Sequence, residues 1–123
     1  TTTFCDMYVF EAETARAAKQ AGMRCLLGEG LLDFPVPNAP SPAHGLANTR
    51  KLIEEWSGDP LINLIVHPHS LYACSTETLL AAKKIADEHG LPYALHLLEN
   101  QAEAVTLQQK LGEKPLVFLN SIR

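Results

Sequence analysis

The stretch INLIVHPHSLYACS, residues 62–75, decides how the rest of the sequence is interpreted. It opens with a run of apolar, β-favouring residues, which is typical of a strand that is covered on both faces. The run ends abruptly at His67-Pro68-His69. Because side chains at i and i+2 of an extended chain point to the same side, His67 and His69 can hold a metal, bind a substrate, or merely end a strand.

Strand-like and helix-like segments alternate on both sides of this stretch. Segments rich in β-branched and aromatic residues predict strands, and segments rich in Ala, Glu, Lys and Gln predict helices. We predict strands over residues 1–10, 23–30, 60–67 and 91–100, and helices over residues 11–22, 45–59, 75–90 and 101–112, with a short further helix after residue 114. Residues 31–45 carry four prolines, a density that argues against any helix or central strand there.

The order of these elements, βαβαβαβα, implies an α/β fold whose parallel strands are joined by right-handed crossovers. The sequence GEG at residues 28–30 lacks the third glycine of a dinucleotide-binding fingerprint, so a nucleotide-binding doubly wound sheet is disfavoured. Four βα units make half of a (βα)8 TIM barrel, which runs to about 250 residues. The chain starts inside a predicted strand and stops without a closing element, so we expect residues 1–123 to be one partial barrel domain that is truncated at both ends.

The amino-acid composition indicates which kinds of binding partner, and which cell compartment, to expect. Hydrophobic residues make up 46% of the chain and charged residues 20%, the profile of a globular protein. A formal net charge of −4 and the lack of a Lys/Arg cluster disfavour nucleic acid. No apolar run reaches the roughly 18 residues of a membrane helix, so no membrane partner is expected. Three widely spaced cysteines without a CxxC pair predict reduced thiols and a cytoplasmic protein.

Polar, titratable residues gather where the predicted strands end, which in a βα barrel is the active-site rim. They are Asp6, Glu29, His67, His69 and His96. Taken singly, Asp6 and Glu29 also fit the solvated end of a strand. His96 follows an apolar run, so we expect it to be buried and either hydrogen-bonded or metal-bound. Glu99 can exchange a proton with a metal-bound water, or simply place a negative charge at the start of the next helix.

Several segments together resemble a known family. They are TTTFCDMYVFEAETARAAKQAGMRCLLGEGLLDFP (residues 1–35), PHSLYACS (68–75) and LPYALHLLEN (91–100). They resemble the central part of the amidohydrolase superfamily, in the branch of methylthioadenosine/S-adenosylhomocysteine deaminases and atrazine-chlorohydrolase-like enzymes. Members of that branch typically carry the motifs TTFxDMY, GE, PHxxYxCS and HLxET in this order. The resemblance covers essentially the whole chain.

The resemblance implies strands two to five of a metal-dependent (βα)8 barrel. Such enzymes activate a water on zinc, or in some members iron, to displace an amino group or a halide from a small heterocyclic substrate. His96 resembles the metal ligand of strand five, Glu99 the catalytic acid/base, and His69 the substrate-facing histidine. Glu29 is carried as a possible substrate-binding residue of the pocket.

The family pattern also has parts that this chain lacks. Three further sets of ligands would lie outside residues 1–123: the His-x-His pair of strand one, the histidine of strand six and the aspartate of strand eight. We therefore expect the chain alone to be inactive. We also expect the full-length protein to be a homo-oligomer. Asn100 stands where the HLxET motif has threonine, and His67 stands where the family usually has a small residue. The alternative interpretation is a self-contained α/β module that binds a small ligand without catalysis.

Overall fold

The structure is a computed structural model that describes residues 1–122. Strands and helices alternate along the chain before two helices close it. The elements are β1 (Thr3–Tyr8), α1 (Glu11–Gln20), β2 (Arg24–Leu31), α2 (Pro42–Trp56), β3 (Ile62–Leu64), β4 (His67–Pro68), α3 (Thr76–His89), α4 (Gln101–Leu111) and α5 (Pro115–Ser121). Across residues 1–122, no helix is both long enough and apolar enough to cross a membrane.

The sheet is parallel and centred on β2. β1 pairs with β2 along its whole length, from Thr3 opposite Arg24 to Tyr8 opposite Glu29. On the other side of β2 lie β3 and then β4, so the strand predicted over residues 60–67 is present in two pieces. The predicted mixed α/β fold with a parallel sheet is therefore confirmed.

The strand predicted over residues 91–100 is present only as two isolated parallel bridges. Val66 pairs with Tyr93, and Ser70 pairs with His96. Four residue steps separate Val66 from Ser70, whereas three separate Tyr93 from His96, so the two segments slip by one residue between the bridges. Such an extra residue interrupts a regular ladder in the way that a β-bulge does.

Helix α2 corrects the prediction for the proline-rich segment. It begins at Pro42, after Ser41, rather than at residue 45. Proline suits the first turn of a helix because the N–H that it lacks would have no partner there. Helix α3 lies within its predicted bounds, residues 75–90. The Ser75 side chain accepts a hydrogen bond from the Thr78 N–H at its start, and Gly90 ends the helix at a φ of 63°.

The two faces of β2 have different surroundings. Leu27 and Leu31 are fully buried in the main core, together with residues of β3 and of the first three helices. The opposite face carries Gly28 and Gly30. A Cβ added at Gly28 would lie 2.7 Å from the His67 Cβ, and one at Gly30 would lie 3.0 Å from the Met7 Sδ. Strand β2 runs unbroken through Gly28 and Gly30, which let its neighbours approach closely.

Candidate active site

Three histidines converge on this second face. The His67 and His96 rings have centroids 5.4 Å apart, and the His69 and His96 rings have centroids 5.0 Å apart. The His96 N–H donates to the His69 carbonyl at 2.9 Å, which fixes the two backbones relative to each other. The i, i+2 spacing of His67 and His69 therefore does place both rings on the side where His96 lies.

The environment of His67 and His69 favours the neutral form of these two rings. His67 is only 6% exposed, and its Nδ1 has no hydrogen-bond partner among residues 1–122. Burial, and then the neighbouring His96, hold the pKa of His67 below its usual range. Burial and His96 also lower the pKa of His69, although Glu99 and Glu103 oppose the shift. A neutral imidazole is the form that binds a metal or accepts a hydrogen bond.

A cavity of about 430 Å³ opens beside two of the histidines. Its volume is in the range of small-molecule sites, and its wall is mostly apolar with a few polar groups, as such sites usually are. It is lined by Met7, Tyr8, Val9, Gly30, Leu32, Val36, Pro37, His69 and His96. The ends of β1 and β2 thus form one side of the cavity, and the two predicted site histidines form the other.

Glu99 is exposed and lies next to the histidines through Tyr72. The edge of the His69 ring meets the Tyr72 ring, with centroids 5.6 Å apart. The Tyr72 hydroxyl donates a long hydrogen bond, 3.4 Å, to the Glu99 Oε2. Such bonds are often long before a substrate is bound. Tyr72 was not among the residues predicted for the site, although it is the Tyr of the PHxxYxCS motif.

The backbone of Glu99 is held by the start of α4. The Glu103 carboxylate accepts from the Leu98 N–H at 3.0 Å and from the Glu99 N–H at 2.7 Å. The Asn100 side chain in turn accepts from the Glu103 N–H at 2.9 Å. The pair resembles a capping box, except that Glu103 accepts from the two residues before the N-cap residue Asn100; Leu98 among them lies at a φ of 56°. Asn100 therefore supplies the helix cap at the position where the HLxET motif has threonine.

Glu29 lies apart from the three histidines. Strand alternation puts it on the core face of β2, opposite to Gly28. It is 4% exposed, and its two oxygens accept from the N–H groups of Phe10 and Glu11, both at 3.1 Å; the Asn38 side-chain amide also donates to it. A carboxylate in this position stabilises the N-terminus of α1. Its substrate-binding role stays a prediction.

Glu11 is a further residue that the sequence did not single out. It is fully buried, and neither carboxylate oxygen has a hydrogen-bond partner among the described residues. Burial, and then the nearby Asp6 and Glu29, raise the pKa of Glu11 to about 7. An acid in the first turn of a helix normally signals a solvated charge, so nothing in the sequence marked this one as buried.

Within residues 1–122, no group of three or more His, Cys, Asp or Glu side chains is arranged to hold a metal ion by itself. The three cysteines, Cys5, Cys25 and Cys74, are free thiols, and the last two are buried. The histidines are therefore the candidate metal-facing groups of this chain.

The sequence and the fold of the chain are similar to those of known proteins. The sequence profile of the amidohydrolase family matches residues 1–120. A 5-methylthioadenosine/S-adenosylhomocysteine deaminase 1 of Syntrophus aciditrophicus (strain SB) is 60% identical over 122 residues, which are 99% of this chain and 28% of the relative. An adenosine deaminase from Xanthomonas campestris, solved with bound zinc, matches with a TM-score of 0.96 at 30% identity, over 99% of this chain and 28% of that one.

An atrazine chlorohydrolase from Arthrobacter aurescens TC1, solved with zinc, matches with a TM-score of 0.82 at 15% identity, over 98% of this chain and 31% of that one; at this identity only the fold is shared. The parallel sheet and the family profile define the class: the chain belongs to the amidohydrolase family. Its curated relatives carry the names of methylthioadenosine/S-adenosylhomocysteine deaminases, so the predicted resemblance is confirmed. The chain spans 28% of the length of these relatives.

Proposed function

We propose that the protein is a metal-dependent aminohydrolase that removes the amino group of a purine nucleoside such as 5-methylthioadenosine or S-adenosylhomocysteine. Residues 1–123 would form strands two to five of its (βα)8 barrel. The observation that carries the proposal is that His69 and His96 meet at the strand ends on one cavity, with Glu99 beside them. The names of the curated relatives support deamination over halide displacement, because the chlorohydrolase match rests on 15% identity.

The residues present fit a zinc ion, and an iron ion is the alternative for this chemistry. Imidazole nitrogen is a favoured zinc ligand. His96 lies in a cluster that includes a buried nitrogen, the Nδ1 of His67, which has no hydrogen-bond partner among residues 1–122. We assign His96 as a metal ligand. A catalytic zinc usually has about three protein ligands, so the others would come from parts of the protein outside this chain. When bound, the metal lowers the pKa of water and so supplies a nucleophile at neutral pH.

The side chains of this chain would carry the proton transfers and the positioning. Glu99 would take a proton from the attacking water and give it to a ring nitrogen of the substrate. It would then pass the proton of the newly added hydroxyl to the amino group, so that the C–N bond breaks, ammonia leaves and a carbonyl forms. The Tyr72 hydroxyl would hold the Glu99 carboxylate through the bond observed at 3.4 Å. His69, as a neutral imidazole on the cavity wall, would hydrogen-bond the substrate.

We further propose that the 123-residue chain is inactive alone, that the full-length protein is a cytoplasmic homo-oligomer, and that Glu29, which also caps α1, contributes to substrate binding. Inactivity follows from the number of metal ligands, since His96 supplies one. Buried free thiols at Cys25 and Cys74 support a reducing compartment.

The proposal is tested in the full-length protein by ammonia release from 5-methylthioadenosine together with metal content. His96→Ala should lose both metal and activity. Glu99→Gln should retain metal but lose at least about a hundredfold in turnover, as is usual when a general acid/base is removed. His44→Ala, a change at an exposed histidine in α2, is the matched control and should alter neither.

Two results would contradict the proposal. Turnover that survives in Glu99→Gln would remove Glu99 from the chemistry. A protein that binds the nucleoside but holds no metal and releases no ammonia would instead be the ligand-binding module without catalysis.

A further inference from the structure

His67 is the most buried histidine of the cluster, and the roles assigned so far leave it without one. Its side chain is 6% exposed, whereas His69 and His96 are half-buried. Its Nδ1 is enclosed and has no hydrogen-bond partner among residues 1–122. Buried polar atoms in folded proteins are almost always partnered, so an imidazole in this state indicates a missing partner.

Gly28 of the neighbouring strand β2 leaves space for the backbone and Cβ of His67. A Cβ added at Gly28 would lie 2.7 Å from the His67 Cβ and 2.8 Å from the Ile65 carbonyl oxygen. Only a glycine at that point of β2 leaves room for the Ile65 carbonyl and the Cβ of residue 67 to approach this closely. The His67 side chain therefore starts inside the sheet, in close contact with β2, rather than at a loose strand end.

The spacing of the rings fits a metal ion as the missing partner. Two imidazoles that bind one tetrahedral zinc at Zn–N distances of about 2.0–2.1 Å have ring centroids about 5 Å apart. The His67 and His96 centroids are 5.4 Å apart, and the His69 and His96 centroids are 5.0 Å apart. What distinguishes the two is the Nδ1 atom: that of His69 is engaged by the Ser70 Oγ at 3.0 Å, whereas that of His67 has no partner within residues 1–122.

We infer that His67 is an additional ligand of the metal ion that His96 holds, so that this chain contributes two imidazoles to the metal rather than one. This inference rests on the proposed function, because it needs His96 to be a metal ligand. The metal ion that they would bind is a divalent transition-metal ion of the kind that imidazole favours, such as zinc or cobalt.

The test uses the full-length protein loaded with Co(II), whose visible absorption reports the number and type of ligands. His67→Asn and His67→Gly are compared with the wild type and with His44→Asn. We expect both His67 variants to change the Co(II) spectrum and to weaken metal binding, measured by chelator competition, by more than about a hundredfold; loss of an outer partner alone costs about 10–100-fold. In the proton NMR spectrum of the Co(II) protein, one strongly shifted imidazole N–H signal should disappear.

Other outcomes overturn the inference. If both His67 variants keep the Co(II) spectrum and all shifted imidazole signals, His67 is not a ligand, whatever happens to affinity. If His96→Ala then still abolishes metal binding, the proposed function stands and only this inference fails. If the wild type binds no Co(II) or zinc, both fail. Should His67→Gly not fold, as judged by circular dichroism, His67→Asn alone decides.

Discussion

Replacement of Glu11 by glutamine should stabilise the protein at alkaline pH and do so less and less as the pH falls. Glu11 is the first residue of α1 and is fully buried, and its carboxylate oxygens have no hydrogen-bond partner within residues 1–122. Burial is the largest cause of its raised pKa, followed by the charges of Asp6 and Glu29. The ionised form is therefore the unfavourable one in the folded protein, and glutamine removes it with little change of shape.

The magnitude follows from the two pKa values. Folding raises the pKa of Glu11 from 4.5 to about 7. Below pH 4.5 the carboxyl is protonated in both the folded and the unfolded protein, so it does not lower the free energy of unfolding. Between pH 4.5 and 7 the unfolded chain loses its proton while the folded protein keeps it, so stability falls as the pH rises, and above pH 7 the loss levels off. At about 1.4 kcal/mol per pKa unit, the loss is about 1 kcal/mol at pH 5 and about 3 kcal/mol at pH 8.

The measurement is urea denaturation of the full-length wild type and of Glu11→Gln at pH 5 and pH 8. The advantage of the variant should grow by about 2 kcal/mol between the two values. Taking the difference between the two proteins removes the contribution of the titrating groups that do not interact with Glu11. Glu13→Gln, on the exposed face of the same helix, is the control and should leave stability almost unchanged at both pH values. A Glu11→Gln advantage that is the same at both pH values would refute the reasoning.

Three further predictions concern stability and positioning. Gly28→Ala should cost about 1–3 kcal/mol in urea denaturation, because its Cβ would meet the Ile65 carbonyl at 2.8 Å; no loss would mean that β2 and β3 can separate freely. Ser75→Ala should cost about 1 kcal/mol through loss of the α3 cap, and Ser75→Thr should keep most of it. Glu103→Gln should lower kcat with metal content unchanged, because it holds the Glu99 N–H at 2.7 Å; an unaltered kcat would show that Glu99 is positioned otherwise.

The fold was accessible from the sequence where local signals decide it. Ser75 and Gly90 set the limits of α3 within one residue, because capping depends on residues close in the chain. The predicted start of α2 at residue 45 was wrong, because four prolines were treated as a uniform block although the last one, Pro42, lies at the helix start, where proline is favoured. The slip between the Val66 and Ser70 bridges depends on how two distant segments meet, and period and composition carry no signal for it.

In the site, too, features that depend on residues close in the sequence could be predicted, and features that depend on distant segments could not. The shared side of His67 and His69 follows from their spacing, and the capping box of Asn100 and Glu103 is an N-x-x-E pattern that could have been recognised before a helical run. Glu29 differs: its position at a strand end predicted a substrate-binding pocket residue, and strand alternation places it on the core face under α1, where it lines a cavity of about 410 Å³ that none of the three histidines lines. A strand end alone does not tell on which face of the sheet a side chain lies.

The convergence of the histidines depends on contacts that no single segment contains. His96 reaches His69 because its N–H donates to the His69 carbonyl across the slipped strand, and His67 has room because Gly28 of β2 carries no side chain. A side chain at position 28 would push β4 away from β2 and displace His67 from His96, although neither histidine changes. If His67 binds the metal as inferred, Gly28→Ala should therefore weaken metal binding as well as stability, whereas Ser75→Ala should weaken stability alone.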